Sequence, residues 1–77
     1  MHITWMDPQN IAVQIDGRHL HISGEGLVGE GTGFVIYAAY IQQWDDGTPM
    51  SKEVKAATLD QVVHEAARRG WRFQIVW

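Results

Sequence analysis

Ile11, Val13 and Ile15 alternate with Ala12, Gln14 and Asp16, and Arg18, Leu20 and Ile22 then alternate with His19, His21 and Ser23. A period of two is the mark of a strand with one buried face. Between the two runs lies Asp16-Gly17, a pair suited to the two-residue type I′ hairpin turn. Pairing across that turn sets Ile15 opposite Arg18, Val13 opposite Leu20 and Ile11 opposite Ile22. The large apolar residues then share one face, which a slip of one residue would undo.

The flanking pattern supplies the remaining elements. His2 to Trp5 predicts a short strand, and MDPQN a turn in which Pro8 has its φ already set. GFVIYAAYI, Gly33 to Ile41, is apolar on both alternating sides and predicts a central strand covered on both faces. The Asp-Gly and Pro signals of QQWDDGTP mark a loop. From Ser51 onward the period changes to that of a helix. Leu59, Val62, Val63 and Ala66 line one side, with Ala56 and Ala67 at its margins, and Gln61, His64, Glu65 and Arg68 lie opposite. Ser51 is a suitable N-cap, Glu53 meets the positive end of the helix dipole, and Gly70 ends the helix after Arg68-Arg69. The last run puts Trp71, Phe73, Ile75 and Trp77 on an apolar side, where Trp5 is a candidate to join them. The expected fold is α+β: a twisted, mainly antiparallel five-stranded sheet in the order β-β-β-β-α-β, with one long helix packed on one face.

Size and composition narrow the possibilities. A chain of 77 residues is expected to form a single domain, residues 1–77. An apolar share of 45% argues for a folded core. The absence of cysteine excludes disulfides and thiolate metal sites. No run approaches the roughly 18 apolar residues of a membrane span. The opening MHITWMDPQN has neither a basic start nor an apolar stretch and does not read as a secretory leader. These features suit a cytoplasmic protein that is not a membrane protein.

The net charge of −3 is unevenly spread. Residues 1–50 carry Asp7, Asp16, Glu25, Glu30, Asp45 and Asp46 against Arg18 alone, whereas residues 51–77 are basic on balance. A nucleic-acid binder would concentrate positive charge on one surface. Here the basic residues sit mostly on the expected helix, as an ordinary solvated face does.

GEGLVGEGTG, Gly24 to Gly33, holds five of the chain's eight glycines and contains G-x-G-x-x-G. A dinucleotide-binding loop of that form opens a helix, but here a strand is expected next. A P-loop would end in Gly-Lys-Ser/Thr, and a kinase would need a lysine on the next strand and a far longer chain. Glu25 and Glu30 would also repel phosphate. The stretch reads as a connection between the third and fourth strands.

His19 and His21 share a strand face at a metal-ligand spacing, without an obvious third ligand; a polar sheet face is the simpler account. No hydroxyl nucleophile has a convincing histidine–carboxylate partner. The adjacent Asp45 and Asp46 sit in a turn-forming context. The chain therefore reads as a non-enzyme with no cofactor or metal. Trp44, just past the expected strand and beside two acids, is either an interface anchor or a cap on the core.

Taken together, Asp16-Gly17-Arg18, Gly24-Glu25, Phe34 to Ala38, Trp44-Asp45, the Ser51 cap and Arg69-Gly70-Trp71 resemble a family of small immunity proteins from bacterial polymorphic-toxin and contact-dependent inhibition systems. The resemblance spans most of residues 11–77. It implies a cytoplasmic α+β protein that binds a cognate toxin protein and blocks it. It supplies no catalytic residue and no contact set. Many such toxins are nucleases with basic clefts, which acidic loops would complement. On charge, the expected contacts are Glu25, Glu30, Trp44, Asp45 and Asp46, with the helix face of Gln61, His64 and Arg68 as the competing surface. The alternative function is that of a small structural or self-associating protein. Both a monomer and a homodimer are compatible with the sequence.

Overall fold

The computed structural model describes residues 1–27 and 33–77. Its strands are β1 (His2–Met6), β2 (Asn10–Ile15), β3 (Arg18–Leu27), β4 (Gly33–Tyr37) and β5 (Arg72–Val76), with helix α1 (Lys52–Arg68) before the last. They form one five-stranded sheet in the order β1-β2-β3-β4-β5. The first three pairings are antiparallel and β4–β5 is parallel, so the sheet is mixed, and α1 makes the crossover.

The central hairpin has the expected register: Ile15 faces Arg18, Val13 faces Leu20 and Ile11 faces Ile22. Asp16 and Gly17 have φ of 49° and 78°, as both central positions of a type I′ turn require. The inward residues of the sheet meet Leu59, Val62 and Ala66 of α1, which are fully buried. Burial of each large side chain in such a contact contributes about 1.5–3 kcal/mol. Thr58 is also buried, whereas Ala56 and Ala67 are exposed.

Both ends of α1 are built from the residues that the sequence offers. Ser51 Oγ accepts the Val54 N–H at 3.1 Å. At the other end the Trp71 N–H donates to the Ala66 carbonyl and the Gly70 N–H to the Ala67 carbonyl, which is the Schellman pattern. That closure turns the chain directly into β5.

β3 changes neighbours halfway along. Residues up to Ser23 pair with β2, and Gly24 to Leu27 pair with β4. On the side that β2 has left, the turn after β1 takes over: the Gly24 N–H donates to the Gln9 carbonyl at 3.0 Å and the Gly26 N–H to the Pro8 carbonyl at 2.6 Å. A Cβ on Gly24 would overlap the Val35 carbonyl oxygen, and one on Gly26 would lie 2.9 Å from that of Pro8. These two glycines therefore serve close backbone approach. The connection expected to begin at Gly24 is strand as far as Leu27; residues 28–32, including Val28 and Glu30, lie outside the described residues.

Three other expectations are corrected. The apolar run from Gly33 is a strand only to Tyr37; a single 3-10 turn, Ala38–Tyr40, follows, burying Ala38 and leaving Tyr40 78% exposed. Trp77 is not in the core but 66% exposed, because it lies beyond the last paired residue of β5. Trp5 is 60% exposed as well. The register between β1 and β2 slips by one after Ile3, so Ile3 faces Val13 in the core while Trp5 faces Ala12 on the opposite side of the sheet. Among the described residues, no helix is long and apolar enough to cross a membrane.

Candidate functional site

The side of the sheet turned away from α1 is uncovered among the described residues. Strand registers place its side chains in rows. Trp5, Ala12 and His21 form one row across β1, β2 and β3; Asn10 and Ser23 stand beside it. Glu25, Val35 and Gln74 form another row across β3, β4 and β5. His21, Ser23, Glu25 and Gln74 are exposed, while Ala12, Val35 and Tyr37 are half-buried by their neighbours.

Trp5 is held in place despite its exposure. Its Nε1–H donates to Asp7 Oδ2 at 3.1 Å. The other Asp7 oxygen accepts the backbone N–H groups of Gln9 and Asn10, both at 2.8 Å. These donors, Gln9 foremost and then the Trp5 indole, hold the Asp7 carboxyl below its usual range. One carboxylate thus shapes the turn after β1 and fixes the indole over the small Ala12.

A polar chain runs from the same point. Asn10 Nδ2 donates to Asp7 Oδ1 at 3.3 Å, which turns the Asn10 carbonyl oxygen toward β3. That oxygen receives His21 Nε2–H at 2.9 Å and the Ser23 hydroxyl at 3.4 Å. Ser23 thus bonds to the Asn10 amide, as His21 does. Beyond lies an open cleft of about 640 Å³ between Pro8–Asn10 and Ser23–Gly26, with Glu25 on its rim. The Glu25 carboxylate also stands beside Tyr37, whose hydroxyl is pushed above its usual pKa, first by burial and then by that negative charge.

The residues selected on charge are distributed differently from expectation. Trp44 is 5% exposed and belongs to the core, so it is not a partly exposed anchor. It starts a small hairpin, closed by the bridge between Gln43 and Pro49, that folds its indole inward under the Arg18 guanidinium, 5.3 Å from the ring centroid. Asp45 and Asp46 sit at the exposed tip. Asp45 is bound to the backbone of β3 through His19 and His21. Asp46 accepts from Thr48, whose donors hold its carboxyl below the usual range with help from the Arg18 charge. Of the four that are described, Glu25 is the one whose side chain stands on the uncovered face, beside Tyr37; Glu30 lies outside the described residues.

His19 and His21 do share a face, but no group of three or more potential metal-binding side chains is assembled among the described residues. On the helix, Gln61, His64 and Arg68 are exposed as expected. His64 is turned to the Asp60 carbonyl at 2.8 Å, and Arg68 bonds to Glu65 at 3.0 Å. Trp5, Asp7 and Asn10 were not among the expected contacts. The signal for them was the spacing of Asp7 to Asn10, which suits an aspartate-capped turn.

The family model described as Immunity protein 74 matches residues 3–76. The match takes in every segment on which the sequence resemblance to immunity proteins rests. No curated protein and no solved structure matches the chain.

Proposed function

Because the chain belongs to the Immunity protein 74 family, we propose that it binds a cognate bacterial toxin domain in the cytoplasm and neutralises it by direct contact. The observation that carries this reading is the uncovered sheet face with its one fixed, exposed indole. A tryptophan held in its bound geometry before the partner arrives loses little freedom on binding, and such residues concentrate interface energy. Asp7 and Glu25 carry negative charge on the Trp5 side of the face, with Asp45 at the β3 edge beside His21 and Arg72 at the far strand. The charge of the three acids suits a basic partner surface, of the kind a nuclease turns toward nucleic acid, and would speed encounter with it.

On this reading the protein inhibits without chemistry of its own: it acts as a rigid plug, and its histidines and hydroxyls hold the face in shape. The test is a pull-down with the toxin domain encoded beside this gene, paired with growth of cells expressing that domain. The wild-type chain should bind it and restore growth. Binding absent at micromolar concentration, with no rescue, would refute the assignment.

A further inference from the structure

β5 ends the sheet, and the neighbouring ladders define which of its backbone groups remain free. Gly24 and Gly26 turn their N–H groups to Gln9 and Pro8, so Glu25 turns its own toward β4. Carrying that alternation across β4 and through the parallel ladder assigns Arg72, Gln74 and Val76 to bonds with β4. Among the described residues nothing bonds the N–H and C=O groups of Phe73 and Ile75, which are left on the outer edge. Natural edge strands are blunted by bulges, prolines or inward charges. β1, at the opposite edge, has a bulge at Thr4; β5, five residues long with Arg72 at its start, contains no bulge, proline or inward charge among the described residues.

The ends of β5 differ in character. Arg72 stands at its start. At its finish Val76 is 51% and Trp77 66% exposed. Val76 neighbours Tyr37 across the ladder, and Tyr37 meets Tyr40 edge-on with ring centroids 6.0 Å apart. Reversed against itself, the strand brings Arg72 of each copy to Val76 of the other, next to Tyr37 on the same ladder.

We propose that β5 pairs antiparallel with β5 of a second copy of this chain, about a two-fold axis through Gln74. Phe73 then faces Ile75 of the second copy, and these two are the residues whose edge groups are free to bond. Arg72 faces Val76 beside the two tyrosines, and Trp71 faces Trp77. Such a contact is self-complementary and closes after two copies. It covers Val76 and Trp77, and it leaves Trp5 free in both copies, about 19 Å away across four strand spacings. It is independent of the toxin-binding reading.

Symmetry supplies a specific test, since residue 74 meets itself on the axis. Gln74 is exposed, so substitution there spares the fold, which circular dichroism will verify. Sedimentation velocity should show a wild-type dimer that dissociates on dilution. Gln74→Lys and Gln74→Glu should each weaken it by about fivefold or more, because like charges are set opposite. Mixing the two variants should restore the dimer. A wild-type chain that stays monomeric up to millimolar concentration would overturn the proposal. So would variants that dimerise as tightly as wild type, or a mixture that remains monomeric.

Discussion

Asp45 closes the edge of β3 that faces away from β2, where none of the described strands pairs with His19–His21: its carboxylate accepts the His21 N–H at 2.8 Å while its own N–H donates to the His19 carbonyl at 3.0 Å. The chain leaves the edge of β3 after Tyr37, makes the 3-10 turn, and returns to the same edge at Asp45. A side chain therefore completes the backbone ladder. Removing the acceptor leaves an edge N–H to water, so Asp45→Ala should cost about 1 kcal/mol, and Asp45→Asn less. Hydrogen exchange at the His21 amide should accelerate in the alanine variant. Unchanged exchange would mean that water serves this group equally well.

Gly24 is the point where β3 passes from one neighbour to the other. Its hydrogen atom occupies space in which a methyl group would overlap the Val35 carbonyl and the Phe34 ring. Gly24→Ala should therefore separate β3 from β4 and destabilise by about 3 kcal/mol or more, the upper end of the usual cost of overpacking. Urea denaturation will measure this. Gly17→Val should also be severely destabilising, since valine does not accept the φ of 78° at the turn.

Much of this was legible in the residues. The alternation from Ile11 to Ile22 determined the hairpin and its register, and Ser51 and Gly70 marked both helix ends, because these are local rules. What could not be read depended on partners distant in sequence. Trp5 left the core through one extra residue at Thr4, which no periodicity announces. Tyr40 lost its strand because β3 was already occupied by the hairpin carrying Asp45. Trp44, flanked by acids, looked like a surface residue, yet the turn that exposes Asp45 and Asp46 drives the indole inward. The candidate site was legible only in Glu25, because charge can be counted in a sequence but the face on which it falls cannot.

The helix contact gives a simple contrast. Leu59 is fully buried against the sheet. Leu59→Ala should cost roughly 2–4 kcal/mol, a large share of the stability of so small a domain. Gln61→Ala, on the exposed side, should stay within about 0.5 kcal/mol of wild type. Equal losses in chemical denaturation would mean that the buried side of α1 is misassigned.

Asp7 links the candidate site to pH. Its folded pKa lies below 3.8 because Gln9, Trp5 and Asn10 donate to the charged form. A depressed carboxyl contributes stability that is present above the unfolded value, near pH 4, and lost as pH falls through the folded value. The indole N–H resonance of Trp5 should therefore shift with a midpoint below the usual carboxylate range. Asp7→Asn should abolish that shift and flatten the acid limb of the stability curve. A Trp5 signal indifferent to acid would show that Asp7 does not hold the indole.

The central claim is that the uncovered sheet face, anchored by Trp5, engages the toxin. Binding kinetics of Trp5→Ala and Glu25→Lys with the cognate toxin domain, set beside those of a helix-face Gln61→Ala, Arg68→Ala variant, test it most directly. Loss of a desolvated anchor should speed dissociation by about 30-fold or more for Trp5→Ala. Glu25→Lys should slow association and weaken its salt dependence, and the helix-face variant should bind as wild type. Wild-type kinetics for Trp5→Ala, with binding lost in the helix-face variant, would contradict the account.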